Sequence, residues 1–66
     1  MKMKTEAIYK VRDEVIVSGS FTGIGDVLGV IYEVEYNSLS KEYFYLVKAS
    51  ESTYWSQERF LINIGL

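Results

Sequence analysis

Apolar and polar residues alternate with a period of two through the middle of the chain. One set of alternate positions holds Leu28, Val30, Tyr32, Val34 and Tyr36, and the other holds Gly29, Ile31, Glu33 and Glu35. This is the period of a β-strand with one apolar face, because successive side chains point to opposite faces of a sheet. Only Ile31 breaks the pattern, so the segment predicts a long strand with Glu33 and Glu35 on its solvent face.

Shorter segments on both sides of it also predict strands, over residues 11–19, 42–49, 54–55 and 60–64. They are rich in β-branched and aromatic residues and are separated by serine, asparagine and glycine, which favour turns. Ser56 is predicted to cap one 3₁₀ turn that carries Glu58 and Arg59. Since no window has the apolar spacing of an amphipathic helix, the chain is predicted to be all-β apart from that turn.

Five short strands in 66 residues predict one small barrel, because a flat sheet of this size leaves an apolar face and two edges uncovered. The barrel is assigned to residues 9–66 and follows a polar N-terminal segment, residues 1–8. A domain this small has a thin core, which self-association into a homodimer would supplement. The inward-facing side chains are predicted to be Val15, Val17, Tyr45, Val47, Trp55 and Phe60.

Two stretches carry a resemblance to a known family. "DEVIVSGSFTGIGDVLGVIYEV" resembles the KOW and SH3-like pattern, with Val15 and Val17 in the first strand and Gly29 and Ile31 opening the second. "EYFYLVKASESTYWSQERFLINI" resembles the ending of small SH3-like proteins encoded by bacteriophages or prophages of Gram-positive bacteria. The resemblance implies a five-stranded SH3-like (KOW-like or Tudor-like) barrel with a 3₁₀ turn before the last strand. It also implies an accessory phage protein acting in the host cytoplasm.

The charge balance bears on nucleic-acid binding. Seven Lys and Arg residues and nine Asp and Glu residues give a net charge of −2, which disfavours contacts to a phosphate backbone. The basic residues that KOW modules direct at RNA are mostly missing. A local basic patch near the N-terminus remains an alternative, and otherwise it is a solvated charged segment. Its members are Lys2, Lys4, Lys10 and Arg12.

The glycines Gly23, Gly25 and Gly29 invite comparison with a phosphate-binding loop. Such loops lead from a strand into a helix, whose N-terminal N–H groups bind the phosphate. Here the loop leads into a strand, and Asp26 would face the phosphate. The glycines are therefore predicted to supply positive φ angles and to let a bent strand begin without a Cβ clash.

Chemistry at a catalytic site has few candidate residues in this chain. Histidine and cysteine are absent, so the commonest general bases, thiol nucleophiles and zinc ligands are missing. Glu33 and Glu35 could form a carboxylate pair, but a solvated strand face explains them as well. The prediction is a protein that is not an enzyme, has no cofactor or metal, and is cytoplasmic, with no membrane segment.

The ten aromatic residues exceed what a thin core can hold, so several are expected on the surface, where tyrosine suits binding. The leading hypothesis is a protein-interaction module that binds and modulates a host protein. The alternatives are a KOW-like or Tudor-like nucleic-acid-binding module, or an acidic decoy that inhibits a nucleic-acid-binding host protein. The candidate interaction surface comprises Tyr32, Glu33, Glu35, Tyr36, Phe44 and Tyr54.

Overall fold

The computed structural model describes residues 7–64 and folds them into one five-stranded antiparallel sheet. The strands are β1 (Glu14–Val17), β2 (Val27–Asn37), β3 (Glu42–Ala49), β4 (Thr53–Gln57) and β5 (Leu61–Asn63). A single helical turn, α1 (Gly19–Thr22), lies between β1 and β2, and a 3₁₀ turn (Glu58–Phe60) immediately precedes β5. None of the helical segments in this part of the chain has the length and apolar character needed to cross a membrane.

The strands follow the order β4-β3-β2-β1-β5 across the sheet. The predicted all-β class, the five strands and the 3₁₀ turn before the last strand are confirmed. The eleven-residue β2 links the two halves, because its first part pairs with β1 and most of its length pairs with β3. Between residues 7 and 64 no ladder joins β4 to β5, so these two strands are the edges of an open sheet.

Among residues 7–64 the core contains six buried apolar side chains, which come from four strands and from no helix. Val15, Val17, Tyr45 and Val47 were predicted to face inward, and all four are fully buried. Ile31 and Leu61 complete the set. These six side chains form the apolar face that holds β1, β2, β3 and β5 together.

Two of the predicted core aromatic residues do not lie in this core. Trp55 is 45% exposed, so its assignment was wrong. It pairs with Leu46 on the outer face, while the next residue, Ser56, lies opposite buried Tyr45 and takes the inward position. Phe60 is half-buried, and its ring packs against Phe21, with 5.2 Å between the centroids.

A β-bulge in β2 explains why Ile31 broke the alternating pattern. Ile31 pairs with Val47 and Glu33 pairs with Leu46, so Tyr32 is the extra residue in the ladder. The bulge reverses the alternation, because one extra residue exchanges the two faces of a strand. Ile31 before the bulge and Val34 after it therefore face inward, and the apparent outlier is a fully buried core residue.

The helical turns differ from the prediction in their caps. Ser56 is a buried residue of β4 whose hydroxyl donates to the Gln57 carbonyl, so its predicted role as a cap was wrong. The 3₁₀ turn starts after Gln57 without a side-chain cap. The turn α1, which was not predicted, has Ser18 as its N-cap and ends at Gly23 in the left-handed conformation.

The glycine at the start of β2 is required by close packing between strands. A Cβ at Gly29 would lie 2.6 Å from Cγ1 of Val47 and 3.0 Å from the carbonyl oxygen of Lys48. Both neighbours belong to β3, so any side chain at this position would push the two strands apart. The predicted role of Gly29 at the beginning of a bent strand is confirmed.

Candidate interaction surface

The outer face of β2, β3 and β4 carries acidic and apolar side chains in adjacent rows. Strand pairing places Glu33 beside Leu46 and Leu46 beside Trp55 in one row. The next row places Glu35 beside Phe44. We call these five residues the acidic-aromatic face. Phe44 and Leu46 are half-buried, so the apolar part of this face is partly packed already and needs little reordering to bind.

The turn between β2 and β3 extends this face with one exposed leucine. Leu39 is 95% exposed, and with Glu35, Phe44 and Trp55 it borders a depression of about 470 Å³. The turn is held in place by the Asn37 side chain, whose Oδ1 accepts the N–H of Leu39 at 2.9 Å and of Ser40 at 3.1 Å. Leu39 thus adds exposed apolar surface beside Phe44 and Trp55, and a contiguous apolar patch of this kind is a feature of binding surfaces.

The electrostatic character of the acidic-aromatic face comes from two carboxylates without a cation. Glu33 and Glu35 are exposed, and neither forms an ion pair with any residue between 7 and 64. Glu42 at the end of β3 differs, because it accepts from Gln57 Nε2 at 3.2 Å and lies 3.4 Å from the Arg59 guanidinium. The two free carboxylates therefore give this face a negative potential beside its aromatic side chains.

The structure brings only some of the predicted surface residues together. Glu33, Glu35 and Phe44 share the acidic-aromatic face. Tyr32 is exposed at the bulge, where its ring lies 5.0 Å from the ammonium group of Lys48. Tyr32 therefore lies next to the acidic-aromatic face, with the Lys48 ammonium group over its ring.

The two other predicted tyrosines point to the opposite side of the sheet. The Tyr36 ring packs against Tyr43 in a tilted arrangement, with 5.0 Å between centroids. Tyr54 is half-buried against the core and makes an edge contact with Phe21 at 6.3 Å, so it does not share the acidic-aromatic face with the other candidates. Trp55 and Leu39 were missed. The period of two was the available signal for Trp55, because an inward Tyr54 and Ser56 leave Trp55 facing outward.

The alternative basic patch is only partly described, because Lys2 and Lys4 lie outside residues 7–64. Nζ of Lys10 lies 3.6 Å from Oδ1 of Asp13. The backbone N–H of Lys10 also donates to Oδ2 of Asp13 at 3.0 Å. Arg12 lines a depression together with Asp13 and Glu14. The two described cations thus lie among carboxylates, which weakens their attraction for a phosphate backbone.

The glycine loop uses its N–H groups within the loop itself. Gly19 donates to Oδ1 of Asp26 at 2.7 Å, and Ser20 donates to Oγ of Ser18 at 3.2 Å. Ile24 donates to Oγ1 of Thr22 at 3.1 Å. Gly23 and Gly25 have positive φ angles of 81° and 108°, as predicted. These donors are already paired within the loop, and the Asp26 carboxylate that accepts one of them would repel a phosphate.

The most enclosed ionisable groups form a structural cluster on the inner side of the sheet. The Tyr45 hydroxyl donates to Oε2 of Glu58, which also accepts the Ile8 N–H at 3.0 Å. Burial and the hydrogen bond to Glu58 raise the pKa of Tyr45 above its ordinary value, so its phenol stays neutral. Burial, with nearby Glu58 and Asp13, raises the pKa of Tyr9 as well. The cluster ties the segment before β1 to the core.

Metal-binding chemistry has no candidate cluster in residues 7–64, where no group of three or more carboxylates comes together. Comparison with known proteins adds no relative: no protein-family model, curated protein or solved structure matches the chain. The function is therefore argued from the surface alone.

Proposed function

We propose that this protein is a non-enzymatic protein-interaction module that binds through its acidic-aromatic face. The observation that carries the proposal is the exposed Trp55 on the same face as two carboxylates, Glu33 and Glu35, that have no cation among the described residues. Tryptophan in a partly packed apolar row is the residue type most enriched at the energetic centre of interfaces. The face combines such an anchor with fixed negative charge.

The fold that we propose for this module is an SH3-like barrel. The order β4-β3-β2-β1-β5, the long β2 shared by both halves and the 3₁₀ turn before β5 support it. The resemblance of the two sequence stretches to small phage-encoded SH3-like proteins supports an accessory role in a bacterial host. Fold alone does not decide function, so the surface residues carry the functional argument.

The acidic-aromatic face is complementary to a partner surface that is basic and apolar. A lysine or arginine of the partner would form an ion pair with Glu33 or Glu35, and the indole of Trp55 can make a cation–π contact. Leu39 and Phe44 would take an apolar side chain beside that cation. A host protein whose nucleic-acid-binding groove is basic presents this chemistry, and occupying such a groove would inhibit it.

The test compares partner capture by variants of the same folded protein. The parent protein, the double charge reversal Glu33→Lys with Glu35→Lys, and a control reversal, Glu14→Lys, are immobilised and exposed to bacterial lysate. Glu14 is exposed on β1, away from the acidic-aromatic face. We expect a partner that the parent and the control retain and that the double reversal loses.

The captured partner is then purified and titrated by calorimetry. Trp55→Ala should weaken binding by more than about 1 kcal/mol, as truncation of an interface anchor does. Equal affinity of the parent, Trp55→Ala and the double reversal would refute the proposed face. Submicromolar, salt-sensitive binding to RNA or DNA that is lost on changing Lys10 and Arg12 to Glu would instead support the nucleic-acid alternative.

A further inference from the structure

A second feature, which shares Trp55 with the acidic-aromatic face, is the open edge of β4. The Ala49 N–H donates to the Ser52 carbonyl at 2.8 Å, which fixes the hydrogen-bonding phase of the β3–β4 hairpin. In an antiparallel ladder the bonded and non-bonded pairs alternate. Tyr54 and Ser56 therefore bond to β3, and the N–H groups of Thr53, Trp55 and Gln57 point away from the sheet.

No residue between 7 and 64 pairs with this edge. β4 is the last strand in the sheet order, and no backbone hydrogen bond of Thr53 or Trp55 reaches another segment. The carbonyl of Gln57 accepts the Ser56 hydroxyl. The strand reads TYWSQ, so it lacks the proline, the bulge and the charged side chains that natural proteins use to block an edge.

We infer that β4 pairs with β4 of a second copy of this chain, in an antiparallel dimer centred on Trp55. This register sets each Trp55 opposite the other and Thr53 opposite Gln57, so it uses all three outward N–H groups. Two five-stranded sheets then become one continuous sheet across a two-fold axis, the commonest symmetry of soluble dimers. The two indoles lie side by side on its outer face.

The charges at the ends of β4 select a second copy as the occupant. In the register centred on Trp55, the first residues of β4 in one copy lie beside the last residues of β4 in the other copy. Glu51 precedes the strand and Arg59 follows it. Glu51 is exposed, and the Arg59 side chain is 63% exposed although it also contacts Glu42. Glu51 of each copy thus lies near Arg59 of the other copy, and the strand itself brings no charge into contact.

The first experiment uses sedimentation velocity on the full chain over a concentration series. The parent should show a sedimentation coefficient that rises from the monomer to the dimer value. Trp55→Ala and Trp55→Pro both remove the indole, but only the proline removes the outward N–H, which the hairpin does not use. We expect the dissociation constant of Trp55→Pro to exceed that of Trp55→Ala by about tenfold or more.

The second experiment tests the register by charge. Trp55→Lys and Trp55→Glu should each be monomeric, because like charges would meet on the two-fold axis, and an equimolar mixture of the two should form a heterodimer. This pair decides the matter even if the proline variant does not fold, which circular dichroism would show. A parent that stays monomeric up to about 1 mM, or a mixture that stays monomeric, would overturn the inference. The readout involves no other protein, so it is independent of partner capture.

Discussion

At the scale of the residue, Tyr45 shows how a polar group is accommodated in a thin core. Its ring is fully buried, and its hydroxyl reaches Glu58 at the edge of the core. The same Glu58 oxygen accepts the Ile8 N–H, so one carboxylate serves both the core and the segment before β1. The tyrosine cannot be replaced by phenylalanine without leaving part of this network unsatisfied.

We therefore expect Tyr45→Phe to lower the free energy of unfolding by about 1–2 kcal/mol, because the substitution removes a buried hydrogen bond to a charged group. Urea denaturation followed by circular dichroism would measure the change. Tyr32→Phe is the matched control, since Tyr32 is exposed, and it should stay within about 0.5 kcal/mol of the parent. Identical midpoints for Tyr45→Phe and the parent would show that the hydroxyl contributes nothing.

The pKa of Tyr45 also predicts how stability changes with pH. The pKa of Tyr45 in the folded state is raised above its ordinary value, which means that the folded protein is more stable with this phenol neutral than with it ionised. This contribution is complete below the unfolded value of about 10 and is lost as pH rises through the folded value. In an absorbance titration of the phenols, Tyr45 should ionise last and together with unfolding. Ionisation of all six tyrosines in one step near their ordinary pKa, with the fold intact, would contradict this.

At the scale of the element, β2 owes its shape to Gly29 and to the bulge at Tyr32. The glycine lets β2 approach β3 closely. The bulge then exchanges the two faces of the strand, so that Ile31 and Val34 both face the core. β2 can thus pair with both β1 and β3 and present apolar side chains to the core on both sides of the bulge, although these residues do not follow one alternating series.

Deleting Tyr32 should leave the protein folded, as truncating its side chain should. Tyr32→Ala removes an exposed side chain and should cost about 1 kcal/mol or less. The deletion removes the extra residue of the bulge and joins Ile31 to Glu33, so Ile31 and Val34 face inward in one regular alternating series, and we expect a folded chain. Backbone NMR spectra of both variants should show a folded protein. An unfolded deletion variant would mean that the fold requires the bulge itself.

Gly29→Ala should destabilise the protein by about 1–3 kcal/mol, because its Cβ would overlap Val47. Gly23→Ala is the control for loss of glycine without a clash, since nothing lies within 4 Å of a Cβ there. Its φ of 81° alone should cost about 1–2 kcal/mol. Chemical denaturation would give both values, and adding Val47→Ala should relieve the clash only at position 29. Without that rescue, the cost at Gly29 is not steric.

The sequence was sufficient to predict strands, turns and most inward residues of β1 and β3, because these have a simple period of two. It did not reveal the bulge, since an extra residue makes the outward Val30 and the inward Val34 appear to share one face. Trp55 was misplaced because aromatic size suggested burial, whereas the hairpin register decides the face. Of the predicted surface, Glu33, Glu35 and Phe44 came together, and only pairing with β4 showed what lies beside them.

At the scale of the whole molecule, Trp55 is the single tryptophan and reports on the surface rather than on the core. We expect long-wavelength fluorescence that acrylamide quenches readily in the dilute protein. Dimerisation through β4 or capture of a partner should shift the emission to shorter wavelength and slow the quenching. Trp55→Ala should keep the circular dichroism of the parent, since a side chain 45% exposed leaves little cavity. A blue-shifted, protected emission at every concentration would contradict this.

The pairing of β1 with β5 has a consequence for how the chain matures during synthesis. Val17 pairs with Leu61, so the neighbour of β1 on that side is synthesised only after the four other strands. Until then Val15 and Val17 lie on an open strand edge of high β-propensity, the kind of segment that pairs with other chains. Nascent chains arrested before Leu61 should therefore be targets for chaperones, and β5, rather than the first hairpin, completes the protected fold.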